Sequence, residues 1–344
     1  MLERLRVGLI GAGGISRAHL AALEGSSAAR VVGIYDVDRS RAEQRAAEFG
    51  VGRVYSSWPD LLADGEVQVV GVLLPHHLHR RYTVEALEAG KHVVCEKPLA
   101  VDLAECDAML DAARRAGRRL FPVHNRLYNL AYEAMGDLVR QGAIGAIFLA
   151  QTNGFEGPGA PLSRAWLAEA RGGGVLLAQA VHPAYTLRWL LGEVEQVSCL
   201  YGGRKMVEMA AEDTAIVTLR FASGAVAEMT ATFGIRHGPF DHAIMLYGEE
   251  GHVELRLRRD DPSHPHSLRL LSPKVHGDRA MHEVAVPDSS FSAAHFRRMW
   301  EDYARAIQTG QPARVSDVDG RKAVEIVLAA RRSAELGQVV ALPL

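Results

Sequence analysis

The chain has 344 residues, of which 48% are hydrophobic and 23% are charged. These proportions are ordinary for a globular protein and exclude a disordered or fibrous chain. The 39 Lys and Arg residues are balanced by 41 Asp and Glu residues, which gives a net charge of −2 and argues against binding to nucleic-acid phosphates.

The three cysteines, Cys95, Cys106 and Cys199, are too few for a disulfide framework and lack the spacing of a zinc site. We expect them to be buried, reduced thiols in a cytoplasmic protein. The sequence also shows no signal peptide at the N-terminus and no window of 18 uninterrupted apolar residues. We therefore predict no membrane partner.

The first 125 residues alternate between short apolar runs and stretches with helical spacing. We predict strands at 6–10, 31–35, 67–74, 92–95 and 120–123, and helices at 18–23, 39–49, 58–62, 77–89 and 103–116. Gly90 and Gly117 follow two of these helices as candidate C′ residues. Repeated βα units of this kind indicate a doubly wound parallel sheet, with helices on both faces.

The pattern changes after residue 125, where helices at 132–141 and 175–191 are followed by five strand-like segments. We predict strands at 194–201, 214–221, 225–232, 242–247 and 252–257, and closing helices at 291–309 and 317–336. Turn residues between the strands indicate hairpins. The sequence thus predicts an α/β domain over 1–125 and an α+β domain with a large, mostly antiparallel open sheet over 126–344.

A glycine-rich loop, Gly11-Ala12-Gly13-Gly14-Ile15-Ser16, joins the first strand to the first helix. In this context Gly11 permits a tight turn, and Gly13 lets the backbone approach a pyrophosphate at the helix N-terminus. Ser16 stands at the position of the third glycine and is still small.

Asp36 ends the second strand, 25 residues beyond Gly11 (36 − 11). A carboxylate at this place binds the adenosine ribose hydroxyls and repels a 2′-phosphate, which favours NAD over NADP. Arg39 and Arg41 lie nearby and leave NADP open as the less favoured cofactor. The structural alternative for Asp36 is a helix N-cap.

Two further motifs stand out. Glu96-Lys97-Pro98 follows the strand at 92–95, and Gly172-Gly173-Gly174 leads into a helix that carries His182. Together with the glycine-rich loop, Asp36, and Pro75 with His79, they make the chain resemble the Gfo/Idh/MocA family, the group of glucose–fructose oxidoreductase and inositol dehydrogenase. The C-terminal stretch from Asp319 to Pro343 is similar to the closing helix and strand of that family.

The resemblance implies an N-terminal Rossmann domain and reversible hydride transfer between a nicotinamide and a secondary alcohol of a sugar, cyclitol or related polyol. It implies that Lys97 positions the hydroxyl, that His182 accepts its proton, and that the Lys97–Pro98 peptide is cis. It also implies a homodimer or homotetramer formed through the C-terminal sheet. Elementary chemistry agrees, since a histidine is a suitable base near neutral pH and a fixed ammonium stabilises an alkoxide.

The candidate site residues fall into two groups. The predicted cofactor-binding residues are Gly11, Gly13, Gly14, Ile15, Asp36, Arg39, Leu74, Pro75, His76, His79, Glu96 and Lys97. The predicted substrate-binding residues are His124, Asn125, Arg164, Trp166, Gln179 and His182. The histidines at 76, 77 and 79 have no carboxylate to complete a metal site, so we predict no metal.

The sequence departs from the family pattern at Ala178, where the family often has Asp four residues before the histidine. Gln179 offers an amide near that place but no charge. The departure keeps two other hypotheses open besides the dehydrogenase. One is an NAD-dependent glycosidase or lyase that works through transient oxidation, and the other is a non-catalytic dinucleotide-binding protein.

Overall fold

The computed structural model describes residues 3–157, 165–168, 173–202, 209–235, 241–258, 266–286 and 293–344. The chain forms two compact units. The first unit comprises Met1–Tyr128 and Ser292–Arg321, and the second comprises Asn129–Phe291 and Lys322–Leu344. The domain boundaries 1–125 and 126–344 stay a prediction. In the structure, residues 292–321 also belong to the first unit.

The N-terminal part of the first unit contains a five-stranded parallel sheet. Its elements are β1 (Leu5–Ile10), α1 (Ser16–Glu24), β2 (Ala29–Tyr35), α2 (Arg39–Glu48), α3 (Trp58–Ala63), β3 (Val69–Val72), α4 (His79–Glu88), β4 (His92–Cys95), α5 (Leu103–Ala116) and β5 (Leu120–Pro122). Short 3₁₀ helices lie at His76–Leu78 and Asn125–Tyr128. The predicted strands and helices of this region are therefore confirmed, with ends shifted by a few residues.

The strand order is β2-β1-β3-β4-β5, and every pairing is parallel. An isolated parallel bridge joins Ile34 of β2 to Val54. With that bridge counted as a strand, the order becomes the 3-2-1-4-5-6 order of a Rossmann fold. The order reverses between β1 and β3, and a sheet of this kind binds its ligand beyond the carboxyl ends of those strands.

The local sequence explains where several helices begin and end. The side chains of Asp38, Ser57 and Asp102 each accept a hydrogen bond from a backbone N–H in the first turn of α2, α3 and α5. Gly90 and Gly117 follow α4 and α5 with φ of 77° and 61°, a conformation that favours glycine at a helix C-terminus.

The second unit is built on a nine-stranded sheet. Its elements up to residue 291 are α6 (Leu130–Arg140), β6 (Ile147–Phe155), α7 (Val181–Leu191), β7 (Val194–Gly202), β8 (Thr214–Phe221), β9 (Val226–Thr232), β10 (Asp241–Gly248), β11 (Gly251–Arg258), β12 (His266–Leu271), α8 (Pro273–His276) and β13 (His282–Glu283). The remaining elements of the chain are α9 (Ala293–Thr309), α10 (Asp317–Leu336) and β14 (Val340–Ala341).

Among the described residues the order of this sheet is β13-β12-β11-β10-β6-β9-β8-β7-β14. Of the strand pairings in the described part of this sheet, only β6–β9 is parallel, so the predicted mostly antiparallel sheet is confirmed. The central strand β6 was not predicted, and neither were β12 and β13. Strand β14 lies in the C-terminal stretch whose resemblance to the family implied a closing strand. Strand β6 alternates half-buried and buried residues over 149–155, whereas Phe148 is exposed. Its sequence, IFLAQTNGF, includes Asn and Gly, which are unusual in a strand.

The helix predicted at 175–191 differs from the expectation. Residues Leu176–Ala180 form a π-helical turn, and regular α-helix begins only at Val181. A π turn is wider than an α turn and often lies at a functional site. The relation between positions 178 and 182 is therefore not that of a regular α-helix.

Helix α9 belongs to the first unit and packs against α1. Tyr303 of α9 donates a hydrogen bond to the carbonyl of Pro122 at 2.7 Å, and its ring stacks on Phe121 with centroids 4.4 Å apart. Trp300 is also fully buried. These contacts make α9 part of the core of the first unit, because large buried aromatic residues dominate the energetics of such a core.

The three cysteines are buried and unpaired. Burial raises the pKa of all three thiols, that of Cys199 to about 12. Such thiols are poor nucleophiles. Within the described part of the chain, no helix has the length and apolar composition that a membrane span requires.

Candidate functional site

The predicted cofactor residues of the first unit lie in the segments that follow β1, β2, β3 and β4, either in the loops or, for Arg39 and His79, at the first position of the next helix. These loops share the carboxyl edge of one parallel sheet, where such sheets bind ligands. The loop after β1 carries the glycines, and the loop after β2 carries Asp36. Leu74 and Pro75 follow β3, and Glu96 and Lys97 follow β4.

In the glycine-rich loop, one glycine has no room for a side chain and two others have free space beside them. Gly11 has a φ of 99°, and a Cβ added there would lie 2.2 Å from the carbonyl oxygen of Leu73. A Cβ added at Gly13 or Gly14 would meet nothing within 4 Å. Gly11 is therefore required by the protein itself, whereas Gly13 and Gly14 leave open space beside the backbone, as a pyrophosphate needs.

The Asp36 carboxylate ties this loop to the end of β2. One oxygen accepts a hydrogen bond from the backbone N–H of Ala12 at 2.7 Å, and the other accepts one from Asp38 N–H at 2.9 Å. The N-cap of α2 is Asp38 and not Asp36. Each carboxylate oxygen has a second lone pair, so Asp36 keeps acceptor capacity for ribose hydroxyls.

The two arginines near Asp36 are already engaged with carboxylates. Arg39 lies 2.7 Å from Glu43, and Arg41 lies 3.4 Å from Asp38. Both pairs are solvent-exposed, and pairs of this kind are weak. The preference for an unphosphorylated ribose therefore rests on Asp36, whose negative charge opposes a 2′-phosphate.

His79 and His76 are both buried at the start of α4 and in the 3₁₀ helix before it. The ring nitrogens of His79 lie 2.8 Å from the carbonyl oxygens of Leu74 and of Pro98. Burial lowers the pKa of His79, although the two carbonyls and Glu96 oppose that shift. His79 thus links the loop after β3 to the turn after β4 from inside the protein.

A buried chain of hydrogen bonds leads to the Glu96-Lys97-Pro98 turn. The indole N–H of Trp300 donates to His19 Nδ1 at 3.0 Å, and His19 Nε2 lies 2.9 Å from Glu96 Oε1. Because an indole is only a donor, His19 Nδ1 must be the acceptor. The His19 proton is therefore on Nε2, which donates to the Glu96 carboxylate.

Glu96 is thereby held as an anion. Burial alone would raise its pKa, but the hydrogen bond from His19 and the nearby Lys97 ammonium lower the pKa below the usual value. The second carboxylate oxygen accepts the Lys97 backbone N–H at 3.1 Å. The Lys97–Pro98 peptide is cis, as predicted. His19 and Trp300 were not predicted as site residues, since only the fold brings α1 and α9 to this turn.

His124 and Asn125 follow β5 in the first unit. His124 is almost fully buried, whereas the Asn125 amide lies 3.2 Å from the ring of His295 on α9. Asn125 is half-buried, so its side chain is the more accessible of the two predicted substrate residues.

In the second unit, a buried carboxylate holds the start of the helical segment that leads to His182. Glu212 Oε1 accepts the Leu176 backbone N–H at 3.1 Å and lies 3.1 Å from the Arg331 guanidinium. A Cβ at Gly174, where φ is 88°, would lie 2.3 Å from the same oxygen. The last glycine of the Gly172-Gly173-Gly174 motif is therefore required by the close approach of Glu212.

His182 lies in the first turn of α7 and is 8% exposed. Its Nδ1 lies 2.8 Å from the hydroxyl oxygen of Tyr185, and the two rings are T-shaped with centroids 5.6 Å apart. Tyr185 was not predicted, although its spacing of three residues from His182 on a helix is a usable signal.

Gln179, in the π turn, contacts a second histidine that the sequence analysis did not identify. The Gln179 amide nitrogen lies 2.8 Å from His242 Nε2, and Glu156 Oε1 lies 3.5 Å from the same nitrogen. Gln179 and His242 are buried, and Glu156 is partly exposed. A carboxylate and an imidazole thus lie beside the residue that follows Ala178.

The remaining predicted substrate residues lie before this helix. Trp166 is half-buried in a 3₁₀ helix at Ala165–Ala168, whereas Arg164 lies outside the described residues, as does Gly172. Among the described residues, no three His, Cys, Asp or Glu side chains come together in a way that could hold a metal ion.

Comparisons with known proteins agree with this geometry. Residues 5–124 match the model of an oxidoreductase family with an NAD-binding Rossmann fold, and residues 132–254 match the GFO/IDH/MocA C-terminal domain. The chain is 34% identical to a 1,5-anhydro-D-fructose reductase of Ensifer adhaerens, over 72% of this chain and 74% of that protein.

Two further similarities extend over nearly the whole chain. An inositol 2-dehydrogenase of Acidothermus cellulolyticus is 30% identical, over 98% of this chain and 94% of that protein. The structure of a levoglucosan dehydrogenase in complex with NADH and L-sorbose superposes with a TM-score of 0.88 at 24% identity, covering 99% of this chain and 100% of that one.

The glycine-rich loop yields a prediction that separates folding from binding. Gly11→Ala puts a methyl group against the Leu73 carbonyl at an unfavourable φ, and we expect it to lower the Tm by about 5–15 °C. Gly13→Ala adds the same methyl group in open space, so we expect a Tm change below about 3 °C but weaker NAD binding. Thermal unfolding and NAD titration measure the two effects. Equal Tm values for the two variants would contradict this account of Gly11.

A second prediction concerns the pH dependence that Glu96 confers. Because the folded-state pKa of Glu96 is lowered, its stabilising contribution is complete above the unfolded-state pKa, about 4.5, and is lost as the pH falls through the folded-state pKa. We expect Glu96→Gln to have a lower Tm than the wild type at pH 7, with a difference that shrinks towards pH 3. Glu43→Gln, which changes an exposed carboxylate, is the control. A Tm difference independent of pH would show that Glu96 is not an anion in the folded protein.

Proposed function

Because the chain belongs to the Gfo/Idh/MocA family of oxidoreductases, whose members include dehydrogenases that act on CH–OH groups, we propose that it is an NAD-dependent dehydrogenase of a sugar, cyclitol or related polyol. The observation that carries the proposal is the buried Trp300–His19–Glu96 chain that ends at the backbone of Lys97. This chain fixes the backbone of Lys97 at the carboxyl edge of the parallel sheet, which supports a role for this lysine beside the cofactor.

The residues of the first unit fit the proposed cofactor. The backbone at Gly13 and Gly14 would face the pyrophosphate, and the Asp36 carboxylate would accept hydrogen bonds from the adenosine ribose. Leu74, Pro75 and the turn at Glu96 and Lys97 would border the nicotinamide, with His76 and His79 supporting them from the interior. When bound, the nicotinamide supplies a hydride acceptor.

The proposed mechanism assigns one task to each of two residues. Lys97 donates a hydrogen bond to the substrate hydroxyl and stabilises the negative charge that grows on its oxygen. His182 accepts the hydroxyl proton as hydride leaves the same carbon. The alcohol becomes a ketone, the proton resides on the imidazole, and solvent removes it after turnover.

The names of the relatives support a cyclic polyol or an anhydro sugar as the substrate class. The similar proteins are named for reactions of inositol, 1,5-anhydro-D-fructose and levoglucosan. These compounds share a ring with secondary hydroxyl groups. Asn125, Trp166 and the cluster of Gln179, His242 and Glu156 are the described side chains that we propose to recognise that ring, and Arg164 remains a predicted member of the set.

We also propose that the chain forms a homodimer or homotetramer through the nine-stranded sheet. Leu200 of β7 is 79% exposed and lies opposite Ile216 of β8, which is 48% exposed. Val226 of β9, 43% exposed, lies on the neighbouring strand, four residues before Thr230, the residue opposite Ile216. Exposed apolar side chains on neighbouring strands of one sheet are a feature of protein–protein interfaces.

The central prediction is that the wild type reduces NAD with at least one compound from a panel of inositols, anhydro sugars and aldoses. We expect Lys97→Ala to lower kcat/KM by about 10²–10³-fold, since it removes a donor to the growing oxyanion. We expect His182→Ala to lower it by about 10²–10⁴-fold. NADH absorbance is the readout, and His276→Ala, which changes an exposed histidine, is the control.

The same panel distinguishes the other hypotheses. Cleavage of chromogenic glycosides without net NADH would favour a glycosidase or lyase that oxidises its substrate transiently. NAD binding with no turnover of any panel member, by wild type or variants, would favour a non-catalytic role and would contradict the dehydrogenase.

A further prediction concerns cofactor preference. Asp36→Asn removes the negative charge that opposes a 2′-phosphate while it retains one acceptor oxygen. We expect the ratio of kcat/KM for NADP to that for NAD to rise by about 10–30-fold, the effect of one unit charge on a phosphate near the surface. Asp60→Asn, which removes an exposed carboxylate from the first turn of α3, is the control. An unchanged ratio in Asp36→Asn would show that Asp36 does not face the ribose.

A further inference from the structure

Tyr185 is hydrogen-bonded to His182, the histidine to which we have assigned proton transfer. The Tyr185 hydroxyl oxygen lies 2.8 Å from His182 Nδ1, and the two residues are only 3% and 8% exposed. We propose that Tyr185 is a positioning residue that keeps the His182 proton on Nδ1 and thereby directs Nε2 to the substrate. The inference rests on the proposed role of His182 in the dehydrogenase.

The helix fixes the Tyr185 ring relative to His182. The two residues are three positions apart on α7, and a long helical side chain points back towards the preceding turn. The rings meet at an angle of 70° with centroids 5.6 Å apart, which is a favourable aromatic geometry. Glu212 and Arg331 hold the start of the same helical segment, so the pair is carried by an anchored helix.

The chemistry of imidazole makes the tautomer decisive. A neutral histidine has one N–H, and its other ring nitrogen carries the lone pair that can accept a proton. The Tyr185 hydroxyl can accept a hydrogen bond from an Nδ1–H or donate one to a bare Nδ1. In the arrangement that we propose, His182 carries its proton on Nδ1 and donates it to the Tyr185 oxygen, and Nε2 accepts the proton of the substrate alcohol. With the proton on Nε2, the same histidine could not act as a base from that nitrogen.

A phenol orients a histidine ring differently from a carboxylate. The Tyr185 hydroxyl is neutral near pH 7, because the ordinary pKa of tyrosine is about 10, so it orients the imidazole without adding an anion beside it. A neighbouring anion would raise the pKa of a histidine.

The test is Tyr185→Phe, which removes the hydroxyl and keeps the ring contact. We expect kcat to fall by about 5–50-fold, the effect of losing one buried hydrogen bond, with KM changed by less than about 3-fold. We also expect the acidic limb of the pH–rate profile to move. Thr186→Val is the matched control, since the Thr186 hydroxyl donates to the His182 backbone carbonyl at 2.8 Å and not to the ring.

A direct measurement of the tautomer supports or overturns the inference without any activity. In ¹⁵N NMR of the wild type, we expect His182 to carry its proton on Nδ1, and in Tyr185→Phe we expect a shift towards the Nε2–H form. A wild type with the proton on Nε2, or identical tautomers in the two proteins, would overturn the inference even if the variant folds poorly.

The outcomes also separate this inference from the proposed function. If His182→Ala abolishes turnover while Tyr185→Phe leaves the pH profile and the tautomer unchanged, only the role of Tyr185 is wrong. If His182→Ala retains full activity, the proposed role of His182 is wrong whatever the tautomer, and the positioning role fails with it.

Discussion

The first unit depends on one buried anion, the Glu96 carboxylate. A carboxylate inside a protein is stable only when hydrogen bonds and nearby charge replace its hydration. Here His19 supplies one donor and the Lys97 backbone supplies another, and Trp300 fixes the tautomer that lets His19 donate. Because these residues come from α1, α9 and the end of β4, the packing of two helices and the shape of the functional turn are set together.

The second unit uses a comparable arrangement. Glu212 is buried and forms an ion pair with Arg331. Its carboxylate also accepts a hydrogen bond from the first backbone N–H of the π turn. A negative group at the start of a helix is favoured there by the exposed N–H groups and the helix dipole. In each unit a buried carboxylate thus supports the segment that carries one of the two residues to which we assign the chemistry.

The sequence was sufficient for the Rossmann sheet, because glycine turns, helix caps and nearly unbroken apolar strands are local signals. It was also sufficient for the hairpins of the second sheet, where Gly224 and Gly251 mark the turns. Strand β6 was missed, although it lies at the centre of the sheet, because its polar residues obscure the alternation of apolar and polar positions that marks a strand. His19, Trp300, Glu156 and His242 were missed for another reason, since each acquires its role only through partners far away in the chain.

The first unit is discontinuous along the chain, and this affects the order in which it can be built. Residues 5–124 match a Rossmann family model, yet His19 and Pro122 receive their hydrogen bonds from Trp300 and Tyr303. On the ribosome, the sheet emerges long before helix α9 is synthesised. The unit therefore completes its core only after residues 293–309 have been synthesised. A domain transplanted as residues 1–128 would leave His19 Nδ1 and a face of the sheet without the partners they have here. An engineered dinucleotide-binding module from this chain should include α9 on a short linker.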